Sequence, residues 1–457
     1  MSEKIQKLSP LKMGVMGLQH MFAMFGATIL VPLLTGLSVQ VTLIAVGVGT
    51  LIFHFFAKSR VPAFLGSSFA FMVGINLITD PADGLFAVAG WSDFISNMTS
   101  AEIAPYRNAH IAEILPYATG GILVSGAVYL LFALIVKLVG VKKFMKFLPP
   151  VVTAPTVILI GIMLAPFAIN QSRSHMLLAI ITLGIVVVAS SWGKGMVKII
   201  PILLGLGGAY VIALIMTQFG ATAADGTPLV HFAGASEASI FGLPQNAFLP
   251  RFNIFAILVM VPFALATIAE HVGDMVALGS IADENFVEDP GLSRTLMGDG
   301  VASMFSGLIG GPASTTYGEN VGVVALTRIF NPRVVQIAAI FAVILGFSPL
   351  FEVAIRSIPE AIIGGASFML YGMIAAVGIR NLVESRTDMS KTKNLTIVAV
   401  MMVTGLGLRF GQPITFPIGD MYVPIDRLGV AIAVILGVIL NIILPDEKKD
   451  KAAKEAK

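Results

Sequence analysis

The chain has 457 residues, 56% hydrophobic and 12% charged, with a formal net charge of +3 and a mean hydropathy of +0.90. A soluble domain carries about 25% charged residues, so a water-facing globule is excluded, and basic residues scattered between apolar runs exclude a nucleic-acid surface. The absence of cysteine removes disulfides, thiolate metal sites and a cysteine nucleophile.

The start, Met1 to Lys7, is a short polar tail and not a cleavable signal peptide, so the first apolar run is expected to stay in the membrane. Apolar runs near the ~20 residues needed to cross a bilayer follow one another along the chain, which predicts an all-α polytopic membrane protein. Spans are expected near 13–35, 38–57, 64–79, 116–138, 147–169, 176–193 and 197–218. A second set falls near 251–281, 295–311, 314–330, 333–350, 359–379, 393–409 and 427–444. Two of them, 64–79 and 314–330, are short and interrupted by Gly, Ser or Thr.

Placing both termini in the cytoplasm puts 23 lysines and arginines inside, Lys198 and Arg380 among them, and 6 outside. The outer six are Arg107, Arg173, Arg251, Arg356, Arg409 and Arg427. The positive-inside rule expects such an excess, and an added or missing span would scramble it. About fourteen spans in the cytoplasmic membrane are therefore predicted, with 80–115 and 219–250 as external loops and Asp446 to Lys457 as a charged tail.

Seven spans per half is odd, so homologous halves would have opposite orientation. A shift of 251 maps Gln19-His20 onto Glu270-His271 and Gly66-Ser67-Ser68-Phe69 onto Tyr317-Gly318-Glu319-Asn320. An inverted repeat follows, with the third and tenth spans broken in register.

The chemistry concentrates at a few intramembrane polar residues. Glu270 lies in the apolar run Ile254 to Ala277, and Asp274, four residues on, shares its helix face. Two close carboxylates in a low dielectric cannot both ionise easily, which suits a group that loads and releases protons. A polar helix contact is the plainer account, an even choice for Asp274. His271 is adjacent to Glu270 but off its face, and reads more readily as a structural hydrogen bonder than as a ligand; His20 could pair with a polar group of the second half, with core packing an equally good account. Glu319 sits between Gly318 and Asn320 in a stretch that reads as a broken helix, where glycine admits close backbone approach and helix N-termini expose N–H groups. Gly66 to Phe69 would supply the matching half. Facing half-helices then offer backbone donors, two glutamates as acceptors, and Phe69 or Tyr317 as flat apolar surfaces. A small planar heterocycle with N–H donors and C=O acceptors suits that inventory; an inorganic anion does not. No HExxH pair and no GxSxG pattern occurs, so no enzyme, metal or cofactor is expected. Asp93, Glu102, Asp283, Glu284, Glu288, Asp289, Glu360 and Glu384 fall in loops or span ends and read as solvated.

These residues also match a family. Glu319-Asn-Val-Gly-Val-Val-Ala-Leu-Thr-Arg328 resembles the nucleobase–ascorbate transporter (nucleobase:cation symporter-2) signature, and Gln19-His20 its first-span pair. Ile268-Ala-Glu-His-Val-Gly273, Leu65-Gly-Ser-Ser-Phe-Ala-Phe71 and Thr315-Thr-Tyr-Gly-Glu-Asn-Val-Gly322 resemble the bacterial uracil permeases of that family. The resemblance covers essentially the whole chain. It implies fourteen spans in two inverted seven-span repeats, with short strands opening the third and tenth spans. It further implies a core domain (1–146 and 251–352), a gate domain (147–250 and 353–445) and a tail (446–457). Glu270 and Glu319 would bind the base, the backbone at Phe69 and Gly318 would donate to its carbonyls, and Tyr317, Ser68, Asn320 and Tyr371 would complete the pocket. Proton symport of uracil is implied, with Glu270, Asp274 and His271 as the coupling group, and so is a homodimer whose core moves against its gate. Asp274 departs from the histidine of the best-known uracil permease and is common in purine and ascorbate relatives. A xanthine or urate carrier is the alternative, and an anion carrier or channel of the same architecture a more distant one.

Overall fold

The computed structural model describes residues 8–445 except 83, 89, 96, 97, 99, 148, 233, 234, 245, 246, 413, 419 and 420. Lys4, Lys7 and the expected tail 446–457 lie outside the described residues. The first half runs α1 (Pro10–Thr35), α2 (Val39–Phe56), β1 (Leu65–Ser67), α3 (Phe69–Thr79), α4 (Trp91–Ile95), α5 (Ser100–Val139), α6 (Val141–Phe147), α7 (Pro150–Ser172), α8 (Met176–Trp192), α9 (Met196–Ile199) and α10 (Pro201–Gln218). The second runs α11 (Ile254–Ala282), α12 (Leu292–Leu308), β2 (Ser314–Thr316), α13 (Gly318–Thr327), α14 (Pro332–Gly346), α15 (Pro349–Arg356), α16 (Glu360–Glu384), α17 (Thr392–Phe410), the strands β3 (Thr415–Ile418) and β4 (Met421–Pro424), and α18 (Gly429–Ile443).

Every expected span has a helix at its place. Eight of the helices in the described residues are long and apolar enough to cross a membrane, or nine if α14 and α15 form one bent span. The protein is thus a mostly helical, multi-pass membrane protein. Local chemistry sets many of the helix starts. Ser9, Ser38, Asn253, Asn331 and Ser348 cap the first turns through their side chains, and Pro10, Pro150, Pro201, Pro332 and Pro349 occupy first positions, where the lost N–H is no cost.

Three expectations are corrected. Residues 100–115, read as loop, extend α5 by some four turns at its N-terminal end. The span expected at 333–350 stops at Gly346, and the chain turns by 86° into α15. The two broken units correspond at an offset of 249, from Leu65 to Ser314 and from Phe69 to Gly318, and not at 251.

β1 and β2 pair antiparallel, Leu65 with Thr316, Gly66 with Thr315 and Ser67 with Ser314. The ladder continues at both ends, Ser68 N–H to the Ala313 carbonyl (2.8 Å) and Tyr317 N–H to the Phe64 carbonyl (3.0 Å). The outer edges are closed by side chains. Thr50 Oγ1 on α2 accepts from Leu65 N–H (3.0 Å) and lies 3.2 Å from the Leu65 carbonyl as donor. Ser303 Oγ on α12 does the same for Ser314, at 3.1 and 3.0 Å. All these groups are buried, so each would carry a desolvation penalty if left alone.

Helix packing falls into two blocks. In one, α1, α2, α5, α11, α12 and α14 make their most extensive contacts with each other; in the other, α7, α8, α10, α16, α17 and α18 do. Close backbone approach marks both. A methyl group on Gly47 would lie 2.6 Å from the Ala339 carbonyl oxygen, one on Gly300 2.9 Å from that of Gly126, and one on Gly161 2.7 Å from that of Tyr371. Small residues at such crossings are the usual means of tight packing in lipid.

The α14–α15 corner is fastened to the first block. Glu352, 7% exposed, accepts from Ser38 Oγ (3.0 Å), Gln40 N–H (3.4 Å) and Arg356 Nε (2.8 Å), while Arg356 also donates to the Leu37 carbonyl (3.0 Å). Removing the carboxylate strands Ser38 Oγ and frees the guanidinium, a loss of about 1–3 kcal/mol. Glu352→Ala is expected to lower the apparent melting temperature of the purified protein by several degrees, and Glu352→Gln by less. An unchanged transition in the alanine variant would show that this network does not hold the corner.

Candidate functional site

A cavity of about 310 Å³ lies where the two broken helices begin. From the strand–helix units come Phe69, Thr315, Tyr317, Gly318 and Glu319; from α11, Ala266 and Glu270; from α7, Val157 and Ile160; from α16, Leu370, Met373 and Arg380. The volume sits at the lower end of the ~300–1,000 Å³ range of small-molecule sites.

Ser68 and Tyr317 precede the first turns of α3 and α13 in extended conformation, and neither caps its helix with its side chain. The first N–H groups of both helices, at Phe69 and Gly318, therefore remain donors beside the cavity, at the positive ends of two helix dipoles. Gly318 is also where a side chain would intrude: a methyl group there meets no atom within 4 Å, so its free side faces open space.

Tyr317 is fixed by the fold. Its hydroxyl donates to the Ser67 carbonyl (2.7 Å) and lies 3.1 Å from Ser67 Oγ, which reaches the Thr28 carbonyl on α1 (3.0 Å). Its ring passes over Gly66, where a methyl group would stand 2.2 Å from the Tyr317 ring. Only glycine fits beneath it.

The other expected site residues are near the cavity but do not line it. Asn320 is buried and turns toward α1, its Nδ2 donating to the His20 carbonyl (3.0 Å) and lying 3.1 Å from His20 Nδ1. Among the described residues, Ser68 is buried without a partner for its hydroxyl, and Tyr371 on α16 is buried without an aligned one. Asp274 lies one turn along α11 from Glu270 and accepts from Thr316 Oγ1 at 2.8 Å, which ties α11 to β2. His271 points away from the cavity. Its Nδ1 stands 2.8 Å from Asp299 Oδ2 on α12, with both side chains fully buried.

Asp299 is the residue that sequence reasoning misses. It lies in Met297-Gly298-Asp299-Gly300, a carboxylate between glycines inside an expected span, and that was the available signal. The cavity thus holds two carboxylates, Glu270 and Glu319, and one basic side chain, Arg380 at its rim, which is mostly exposed and lies 3.7 Å from Glu384. Carboxylates accept and helix N-termini donate. Such a cavity can bind a flat molecule that presents N–H and C=O groups on adjoining edges.

The family model and the sequence relatives agree on one family. The family model Xan_ur_permease, described as a permease family, matches residues 11–414. The uracil permease of Bacillus subtilis (strain 168) is 37% identical over 453 residues, covering 95% of this chain and 93% of that protein. The uracil permease of Bacillus caldolyticus is 36% identical over 441 residues, covering 94% and 91%. Among solved structures, the transmembrane domain of the cyanobacterial bicarbonate transporter BicA superposes with a TM-score of 0.55 at 15% identity, covering 96% of this chain and 98% of that one. That last likeness is one of fold.

The Gly66–Tyr317 contact gives a test of the cradle. Gly66→Ala forces the ring off its Ser67 bonds, and a clear drop in thermal stability is expected. In Gly66→Ala/Tyr317→Ala the steric conflict is gone, so the double variant should melt above the sum of the two single losses. Strict additivity would show that the two positions do not press on each other.

Proposed function

The chain belongs to this permease family, the nucleobase:cation symporter-2 family, and on that premise we propose that it imports uracil, driven by protons. It is a transporter and not an enzyme. The observation that carries the substrate is the joining of Glu270, Glu319 and the free helix starts at Phe69 and Gly318 around one cavity. Uracil offers two ring N–H groups and two carbonyls. Glu270 and Glu319 accept from the ring, the backbone at Phe69 and Gly318 donates to the carbonyls, and the aromatic edge of the pocket comes from Phe69 and Tyr317. The names of the relatives support the same substrate.

Fourteen spans in two inverted halves are supported by the antiparallel meeting of β1 and β2 and by the like order of strand, helix start and short helix in each. The division into core and gate is supported by the two packing blocks. The cavity lies on their boundary, with Glu270 on the first block, Glu319 on α13 packed against α1 and α11 of that block, and Arg380 and Met373 on the second. Relative motion of the blocks would then carry the bound base between the two sides of the membrane.

Coupling is assigned to Glu270 with Asp274 one turn away. Protonation on the outside neutralises the site so that the loaded core can cross, and release inside discharges it. His271 is the least suited of the three expected coupling residues, because it faces Asp299 and not the base. It serves best as support for the α11–α12 contact behind the site.

A purine such as xanthine is the second reading, since Asp274 is shared with purine carriers of the family. Competition of unlabelled uracil and xanthine for the same site separates them.

Two outcomes test the proposal. Glu319→Ala should abolish uracil binding to the purified protein, and retained affinity would refute the site. Labelled uracil should enter vesicles faster when the outside is made acidic, and indifference to the proton gradient would sink the coupling.

A further inference from the structure

A second and larger cavity, about 550 Å³, reaches Glu319 between α1, the α9–α10 segment and α13. It shares Glu319 and Met373 with the first, so Met373 stands between two chambers that meet at one carboxylate. Its walls are small or apolar, among them Gly26, Ile202, Gly322 and Ala325, and its one basic side chain is Lys198. Lys198 is exposed, and no ion pair is found for it among the described residues. No acidic residue occurs anywhere between Glu113 and Asp225, while Lys194 stands four residues before it. The basic excess of the inner loops puts this end of the cavity on the cytoplasmic side. Gly322 leaves the passage wide, since a methyl group there would meet nothing within 4 Å.

The chamber therefore has an acceptor at its inner end, a free cation at its mouth and an apolar stretch between them. A ligand that fits has an N–H-bearing ring at one end and an anion at the other. We propose that this cavity is a cytoplasmic site for a nucleoside monophosphate, the phosphorylated form of the transported base. The inference rests on the preceding reading that Glu319 binds a nucleobase. The ring N–H meets Glu319, and the phosphate meets the exposed Lys198. An acyl chain would set methyl groups against the carboxylate, and a ligand that is anionic throughout would be repelled by it. Because Glu319 serves both chambers, nucleotide and free base exclude each other. The device would slow import as the product of the next reaction, transfer of the base onto a phosphorylated sugar, accumulates inside.

The test is displacement of labelled uracil from the full-length protein in detergent without anionic lipid, using uridine 5′-monophosphate, uridine and inorganic phosphate as competitors. The monophosphate is expected to displace uracil competitively, with uridine and phosphate each about tenfold or more weaker, the loss of one charge-assisted contact or of the ring. Lys198→Gln should weaken displacement by the monophosphate about tenfold and leave uracil affinity within about twofold, and Lys198→Arg should restore it. Failure of the monophosphate to displace bound uracil overturns the inference while leaving uracil transport intact. So does displacement that Lys198→Gln leaves unchanged, or phosphate that competes as well as the nucleotide. If the protein binds no uracil, the transport reading falls; a thermal shift with the monophosphate, lost in Lys198→Gln, would then still support an anion site here, and its absence would remove it.

Discussion

Two short helices that begin deep inside the packed protein leave backbone N–H and C=O groups where water cannot reach them, and everything else in this protein is arranged around that fact. In a bilayer such groups are tolerated only when protein satisfies them. Here the two interruptions satisfy each other. β1 and β2 form a ladder three residues long, and Thr50 and Ser303 close its outer edges. A single broken helix would have no such solution. The need for a partner explains why the polar stretch around Gly66 and the one around Thr315 occur as a pair. It also explains why the site lies between the halves of the chain and not within either.

Once the ladder is made, the helices that follow it begin at fixed places with their first donors unspent. Charge is then added sparingly. Glu319 is carried by the first turn of α13, Glu270 by α11, and the acids behind them have partners. Asp274 accepts from Thr316 on the strand itself, and Asp299 stands against His271. Both contacts join α11 to its neighbours, so the helix that presents Glu270 is held from two sides. Glycine supplies the remaining precision. Gly66 yields its space to Tyr317, whereas Gly318 yields its space to the cavity.

Much of this was legible in the sequence because the bilayer imposes long apolar runs and one-sided lysines. The positions of α1, α2, α7, α8, α10, α11, α16 and α17 follow from hydropathy within a few residues. Glu270 and Glu319 stood out because an unpaired carboxylate in such a run is costly. What escaped has physical causes. The amphipathic start of α5 carries Glu102, Arg107 and Glu113 in water, so it looks like a loop to any reading based on hydropathy. The bend after Gly346 is a matter of Ser348-Pro349 starting a new helix, which a hydropathy profile passes over. The polar letters align at an offset of 251, whereas the starts of the strands and of the helices that follow them align at 249, a difference that side-chain similarity does not report. Asp299 has one trace in its own segment, a carboxylate between glycines, but its partner His271 lies on another helix, and a single segment does not show that pairing.

The distance along the chain between the two strands sets a condition on how the protein is made. At roughly 5–20 residues per second, synthesis takes on the order of 10–50 s to travel from β1 to β2. During that interval the edge of Leu65 to Ser67 has Thr50 on one side and no strand on the other. The eleven residues of α3 are too few to cross a bilayer alone, so this segment cannot settle as an independent span. It has to wait, shielded by α2 and by whatever the insertion machinery provides, until Ser314 to Thr316 arrive. A truncated first half would thus be left with an open β-edge, a ready target for pairing with a second truncated copy or for quality-control proteolysis.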